Sequence, residues 1–247
     1  MALLKVFNDI SIITDSGGAA VLVFLDLTAA FDTIDHEILL LWLEHLVGLK
    51  GAALNWFRSY LTGRHFSVTL NSSFLSSAPL KCGVPQGSIL GPIMFSIYLH
   101  PIGAIFRKFN ISFHCYADDT QVYIPVCNSA MNQLHNCLSE LRSWMANNFL
   151  DLNQNKIEVL IVGPSAKAQI GVRFLSSFSV FCKPQVCNLG VIFDSNLSFE
   201  KQVNSVVKSC FFQLRLLGKL KPLSSSRDLE KATHAFIFSR LDYCNSL

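Results

Sequence analysis

Apolar positions recur with helical spacing at Leu3, Leu4, Phe7, Ile10 and Ile13, which predicts a helix over residues 3–14. Asp15-Ser16-Gly17-Gly18 breaks it, and a continuous apolar run, Val21–Leu25, follows and stops at Asp26. A run of that length without alternation reads as a strand buried on both faces. Asp35 is a good N-cap for a helix to about Leu46 closed by Gly48, with Ile34 and Leu39 placed as a hydrophobic staple. A second helix is expected over Ala52–Leu61, then a hairpin of short strands at Phe66–Leu70 and Leu75–Lys81. The Gly/Pro loop Cys82–Pro92 opens into an almost uncharged stretch, Ile89–Phe106, read as one buried core helix. A hairpin spans Phe113–Ile124, with Asp118 and Asp119 as its two-residue loop. Residues 130–148 carry Leu134, Leu138, Leu141 and Met145 on one helical stripe. Ile157–Gly163 and Val186–Phe193 read as strands, Asp194-Ser195-Asn196 as a turn, and residues 198–218 and 227–241 as two helices. This order predicts a mixed α+β domain with a helical C-terminal appendage, divided near residues 165–185.

Composition adds less than pattern. Of 247 residues, 51% are apolar and 15% charged, a globular balance that excludes a disordered chain. Eight cysteines without a CxxC pair suggest neither a zinc site nor a disulfide framework. The start is amphipathic and shows no secretory signal, so an intracellular protein of nucleus or cytoplasm is expected. Ile89–Phe106 is long enough to span a bilayer, but Gly91, Pro92, Pro101 and Gly103 favour a core helix, and no membrane partner is expected. The net charge of +3 hides an asymmetry: residues 201–247 hold eight basic and three acidic side chains. Such a segment suits phosphate contact, or is simply a solvated helix face.

Candidate chemistry rests on carboxylates. Asp26 ends a buried strand, where an ionised group is costly unless paired or bound to a cation. Asp118 and Asp119 could be a polar turn and nothing more. If the strands neighbour one another, all three converge as hard oxygen ligands suited to Mg²⁺. Two such ions roughly 3.5–4 Å apart can activate a 3′-hydroxyl and stabilise a leaving pyrophosphate.

Five stretches then occur in order: Leu25-Asp26-Leu27-Thr28-Ala29-Ala30-Phe31-Asp32, Gly83–Pro92 with its Pro85-Gln86-Gly87, Tyr116-Ala117-Asp118-Asp119, Leu152-Asn153-Gln154-Asn155-Lys156, and Leu189-Gly190-Val191. Together they resemble the successive motifs of the reverse transcriptases of non-LTR (LINE-type) retrotransposons. The resemblance implies a right-hand polymerase: a palm at 21–165, a linker and primer-grip-like hairpin at 166–197, a helical thumb at 198–247, and only a remnant of the fingers at 1–20. The palm would be an antiparallel sheet packed on helices.

By the same resemblance, Asp26, Asp118 and Asp119 are the catalytic metal ligands, for two Mg²⁺ or for Mn²⁺ in their place. Phe31 lies under the sugar and excludes a 2′-hydroxyl, Gln86 bonds the incoming nucleotide, and Lys156 serves its pyrophosphate or the closing loop. Leu189 and Gly190 grip the primer end. Lys208 and Arg215 on the thumb hold the template–primer duplex, and Arg64 touches the template. Each has a plainer reading: Phe31 as a core aromatic, Gln86 as part of a helix-start turn, Lys156 and Arg64 as solvated surface. Gly83 and Gly87 would let backbone approach nucleic acid closely. The partners implied are an RNA template, a DNA primer and deoxynucleoside triphosphates. In this family a basic fingers region precedes the first aspartate, whereas Lys5 is the only basic residue before Asp26. The expectation is therefore an N-terminally truncated RNA-directed DNA polymerase domain. The alternative is an inactive retrotransposon-derived fragment that at most binds nucleic acid.

Overall fold

The computed structural model describes residues 2–70, 73, 74 and 76–247. Helix α1 (Ala2–Asp15) turns Val6 and Ile10 fully inward. Strand β1 (Ala20–Leu25) is buried along nearly its whole length, as an unalternating apolar run requires. Helix α2 (His36–His45) begins at Asp35, whose Oδ1 accepts from the Glu37 and Ile38 amides at 2.9 Å each. Ile34 and Leu39 are both fully buried beside that cap. Helix α3 (Gly51–Leu61) leads into nested short pairings rather than two longer strands. In these, β2 (His65–Phe66) pairs with β5 (Ala78–Pro79), and β3 (Thr69–Leu70) with β4 (Ser73–Phe74). Leu75, where the second strand was expected to start, lies outside the described residues.

The apolar stretch expected as one helix is two: α4 (Gly91–Leu99) and α5 (Ile102–Lys108). Pro101 has no N–H to extend α4 and its fixed φ of −61° instead starts α5. Nine residues of helix reach about 14 Å, against about 30 Å of bilayer core. Among the described residues no helix is long and apolar enough to cross a membrane.

Strands β6 (Ser112–Tyr116) and β7 (Asp119–Pro125) form an antiparallel hairpin closed by the pair Tyr116–Asp119. The two-residue loop is therefore Ala117-Asp118, one residue earlier than the pattern suggested. Ala117 takes the left-handed turn position, φ 53°, and Asp119 becomes the first residue of β7. Helix α6 (Asn128–Asn147) buries Leu134, Leu138, Leu141 and Met145 as expected. A single 3₁₀ turn, Gln154–Lys156, precedes β8 (Glu158–Val162). Helix α7 (Ser165–Phe174) follows. The strand expected at 186–193 is instead a hairpin, β9 (Gln185–Asn188) with β10 (Val191–Asp194). Leu189 and Gly190 at its tip both have positive φ, 45° and 81°, the geometry of a tight hairpin turn. The C-terminal helices are α8 (Glu200–Leu220), α9 (Ser226–Thr233), a π-helical turn at His234–Phe238, and α10 (Ser239–Asp242).

The strand order of the sheet is β6-β7-β1-β8, an open sheet that does not close into a barrel among the described residues. The chain forms two units: Met1–Val23 with Pro125–Cys127 and Glu158–Leu247, and Phe24–Ile124 with Asn128–Ile157. In the first, Phe199 meets Phe7 and Phe193 edge-on, at 5.6 and 5.4 Å. Asp194 ties β10 to α8 by accepting from Asn196, Ser198 and Phe199. Burial acts to raise the Asp194 pKa, but these bonds outweigh it and hold the carboxyl below its usual range. In the second unit α2 packs on α3 and α4, and α5 on α6 and β6. There the buried Tyr98 donates to the Asn148 carbonyl at 2.7 Å, and burial pushes its pKa up to about 12.

Candidate active site

All the residues considered in this section up to Lys156 lie in the second unit. Asp26 follows the last residue of β1. Its carbonyl accepts from Asn153 N at 2.9 Å, Thr28 N donates to Asp151 O at 2.9 Å, and Leu27 stands opposite Leu152. This short antiparallel pairing carries the 3₁₀ turn that ends in Lys156. The Lys156 ammonium lies 3.1 Å from Asp26 Oδ2. That oxygen is buried and has no hydrogen bond, so the lysine meets it as an ion pair without hydrogen-bond alignment.

Asp118 is half-buried in the hairpin loop, and Asp119 opens β7. Although the Asp119 side chain keeps solvent access, partial desolvation raises its pKa. The like charges of Asp118 and then Asp26 raise it further, and Lys156 opposes them. Asp119 thus interacts electrostatically with Asp118, Asp26 and Lys156, and Lys156 pairs with Asp26. Among the described residues no three His, Cys, Asp or Glu side chains form a cage for a metal ion.

A second cluster surrounds Phe31. Its ring stacks on the fully buried Phe95, centroids 4.7 Å apart and planes at 24°. The loop carrying Gln86 is laced to the turn carrying Phe31. Val84 N donates to Phe31 O at 2.9 Å, Gly83 N to Ile34 O at 2.7 Å, and His36 Nε2 lies 2.7 Å from Gly83 O. Gln86 Nε2 donates to Asp32 Oδ1 at 3.1 Å. Asp32 was not singled out from the sequence, although it sits beside Phe31 in the same motif; nothing local shows that its partner is Gln86.

Gly83 has a use within the chain's own packing. Its φ is +86°, and a Cβ there would meet Asp32 O at 3.0 Å, Asp32 Cα at 3.1 Å and Phe31 O at 3.2 Å. The missing side chain lets the chain approach its own backbone; at Gly87 a Cβ would meet open space. Gly83→Ala should therefore cost about 2–3 kcal/mol from strain and overpacking and push the Gln86 loop off the Phe31 turn. Urea unfolding would check the first effect, and loss of the Gln86–Asp32 contact in a structure of the variant the second.

The remaining candidates make contacts of their own. Arg64 spends Nε on the Tyr60 carbonyl at 2.5 Å and lays its guanidinium over the Tyr60 ring at 4.4 Å. In the first unit the Leu189-Gly190 tip is held by Tyr243, whose hydroxyl donates to Leu189 O at 2.6 Å. Lys208 and Arg215 are exposed on α8, on one face with Lys201 and Lys219 at spacings of seven, seven and four.

A family model described as reverse transcriptase (RNA-dependent DNA polymerase) matches residues 3–193. The chain belongs to that family. It is related to the reverse transcriptases of non-LTR retrotransposons. It is 24% identical over 225 residues to the probable RNA-directed DNA polymerase from transposon BS of Drosophila melanogaster, covering 87% of this chain and 24% of that protein. To the RNA-directed DNA polymerase from mobile element jockey of Drosophila funebris it is 28% identical over 193 residues, covering 75% of this chain and 21% of that one. The chain thus spans about a quarter of the length of these curated relatives. Among solved structures, telomerase from Candida tropicalis, in complex with a TWJ fragment of telomeric RNA, superposes with a TM-score of 0.59 at 12% identity, over 99% of this chain and 41% of that one. The corresponding Candida albicans complex gives 0.57 at 19% identity, over 97% and 41%. At these identities the likeness is one of fold: a mixed α+β arrangement with an open antiparallel sheet packed against helices.

Proposed function

We propose that the chain is the RNA-directed DNA polymerase domain of a retrotransposon, extending a DNA primer on an RNA template by two-metal nucleotidyl transfer. The observation that carries this reading is Asp26 Oδ2: a buried carboxylate oxygen without a hydrogen bond, in electrostatic reach of Asp119, which also feels Asp118. The donor set is all carboxylate oxygen, which fits Mg²⁺. That ion takes one or two carboxylates and completes its shell with water and phosphate, so it needs no protein cage. Mn²⁺ would suit the same oxygens.

Asp26, Asp118 and Asp119 would hold the ions, which when bound supply charge neutralisation for the attacking and leaving oxygens. In the reaction the primer 3′-hydroxyl would give its proton to water, its oxygen bonding the nucleotide α-phosphorus as the bond to pyrophosphate breaks. Phe31, backed by Phe95, would lie under the deoxyribose, and Gln86 beside it would bond the nucleotide. Asp32 accepts from Gln86 Nε2, which leaves the Oε1 of Gln86 to serve as an acceptor. Asp32→Ala should raise the KM for deoxynucleotides about threefold with kcat little changed, since the bond lost is exposed to solvent and only orients Gln86; steady-state extension kinetics check it.

The palm and thumb divisions, with the Leu189-Gly190 hairpin as a primer grip and Lys208 and Arg215 on phosphates, complete the reading; Arg64 would have to leave Tyr60 to touch a template. Primer extension on an RNA template with deoxynucleotides and Mg²⁺ tests it. A second reading has its own support: Lys201, Lys208, Arg215 and Lys219 are exposed and in no ion pair among the described residues. A chain that binds duplex with a steep salt dependence and never extends a primer would be a nucleic-acid-binding derivative without catalysis.

A further inference from the structure

Lys156 is the one cation paired with the candidate metal ligands among the described residues, and its position is set by backbone. Asn153 N on Asp26 O and the Leu27–Leu152 pairing fix the segment, and Lys156 N donates to Asn153 O at 2.9 Å to close the turn. The ammonium then stands 3.1 Å from Asp26 Oδ2, the oxygen that no hydrogen bond satisfies. The two ends differ: the Asp26 side chain is 17% exposed, the Lys156 side chain 64%. The carboxylate is held in place, whereas the lysine sits on a flexible stem open to water and can leave.

We propose that Lys156 is a positioning residue that acts through Asp26, serving as its counter-charge in the metal-free chain and yielding Oδ2 when a divalent cation arrives. The inference rests on the polymerase reading of Asp26 and adds an order of events to it. A largely buried carboxylate in electrostatic reach of Asp119 needs compensation before any ion is present, and Lys156 provides it. An ammonium bound to Oδ2 is also unavailable to a phosphate. Occupation of the carboxylates by a divalent ion releases it, so the lysine reaches an incoming triphosphate only after the metal is in place. Metal binding and phosphate binding are thereby coupled through a single side chain.

The test is Mn²⁺ binding followed by electron paramagnetic resonance, without nucleotide or nucleic acid, on the wild-type chain and on Lys156→Gln, Lys156→Arg and Asp118→Asn. Lys156 is largely exposed, so these variants should fold. Lys156→Gln is expected to bind Mn²⁺ about two- to fivefold more tightly, the scale of one partly screened ion pair, while Lys156→Arg stays near wild type. In metal-free buffer Lys156→Gln should melt below Lys156→Arg, and saturating Mn²⁺ should remove the difference. Equal Mn²⁺ affinity in Lys156→Gln and wild type, with Asp118→Asn at least about tenfold weaker, overturns the displacement and leaves the metal site standing. Absence of Mn²⁺ binding in every variant overturns both.

Discussion

Asp118→Ala is expected to reduce primer extension at least a thousandfold, to the level of no enzyme. A metal-held charge contributes several kcal/mol to stabilising the transition state, and about 4 kcal/mol corresponds to that factor. The fold should survive, because Asp118 sits in a two-residue loop outside the register of β6 and β7. Circular dichroism melts beside the extension assay separate the two effects. A variant that extends primers at the wild-type rate would remove Asp118 from the chemistry.

The same substitution should lower the Asp119 pKa toward the ordinary range, because Asp118 is the largest like charge raising it after desolvation. A raised folded-state pKa means that stability is lost as pH rises through it and Asp119 ionises. Asp194, with its lowered pKa, behaves oppositely: its contribution is present above the unfolded value and lost as pH falls. NMR titration of Asp119 in the two proteins checks the shift.

Phe31→Ala is expected to increase ribonucleotide use relative to deoxynucleotide by about 10- to 100-fold, the discrimination that contact with one small group can supply. The ring stacks on Phe95, a contact that would oppose its turning aside for a 2′-hydroxyl. Loss of the half-buried ring should cost about 2 kcal/mol of stability, and Phe31→Tyr should retain both stability and selectivity. The ratio of kcat/KM for matched ribo- and deoxynucleotides decides it. An unchanged ratio, with only the stability lost, would make Phe31 a core aromatic.

Local devices were legible along the chain. The Asp35 cap and its apolar neighbours, the α6 stripe and the unbroken run of β1 each declare themselves within a few residues, because their physics is local. Errors arose where one local signal overrode another. The apolar run through 89–106 masked the stop at Pro101, and in the apolar pattern Leu189 hid the turn between β9 and β10, where the motif resemblance implied a hairpin. The one-residue shift at the hairpin followed from a left-handed Ala117, a conformation that composition does not favour.

The family, and the candidate residues its motifs carry, are legible in the order and spacing of those motifs, which is linear information. Periodicity and capping act over one or two turns and placed most elements, but not the break at Pro101 or the turn at Leu189-Gly190. Which of those residues meet is a property of the folded chain. Lys156 became the counter-charge of Asp26 because Leu27 lies against Leu152. Gln86 acquired a fixed orientation because Gly83 admits the Phe31-Asp32 backbone at van der Waals range. Electrostatic coupling and steric fit fall off over a few ångströms of space, and a linear chain does not record which distant residues will lie within them.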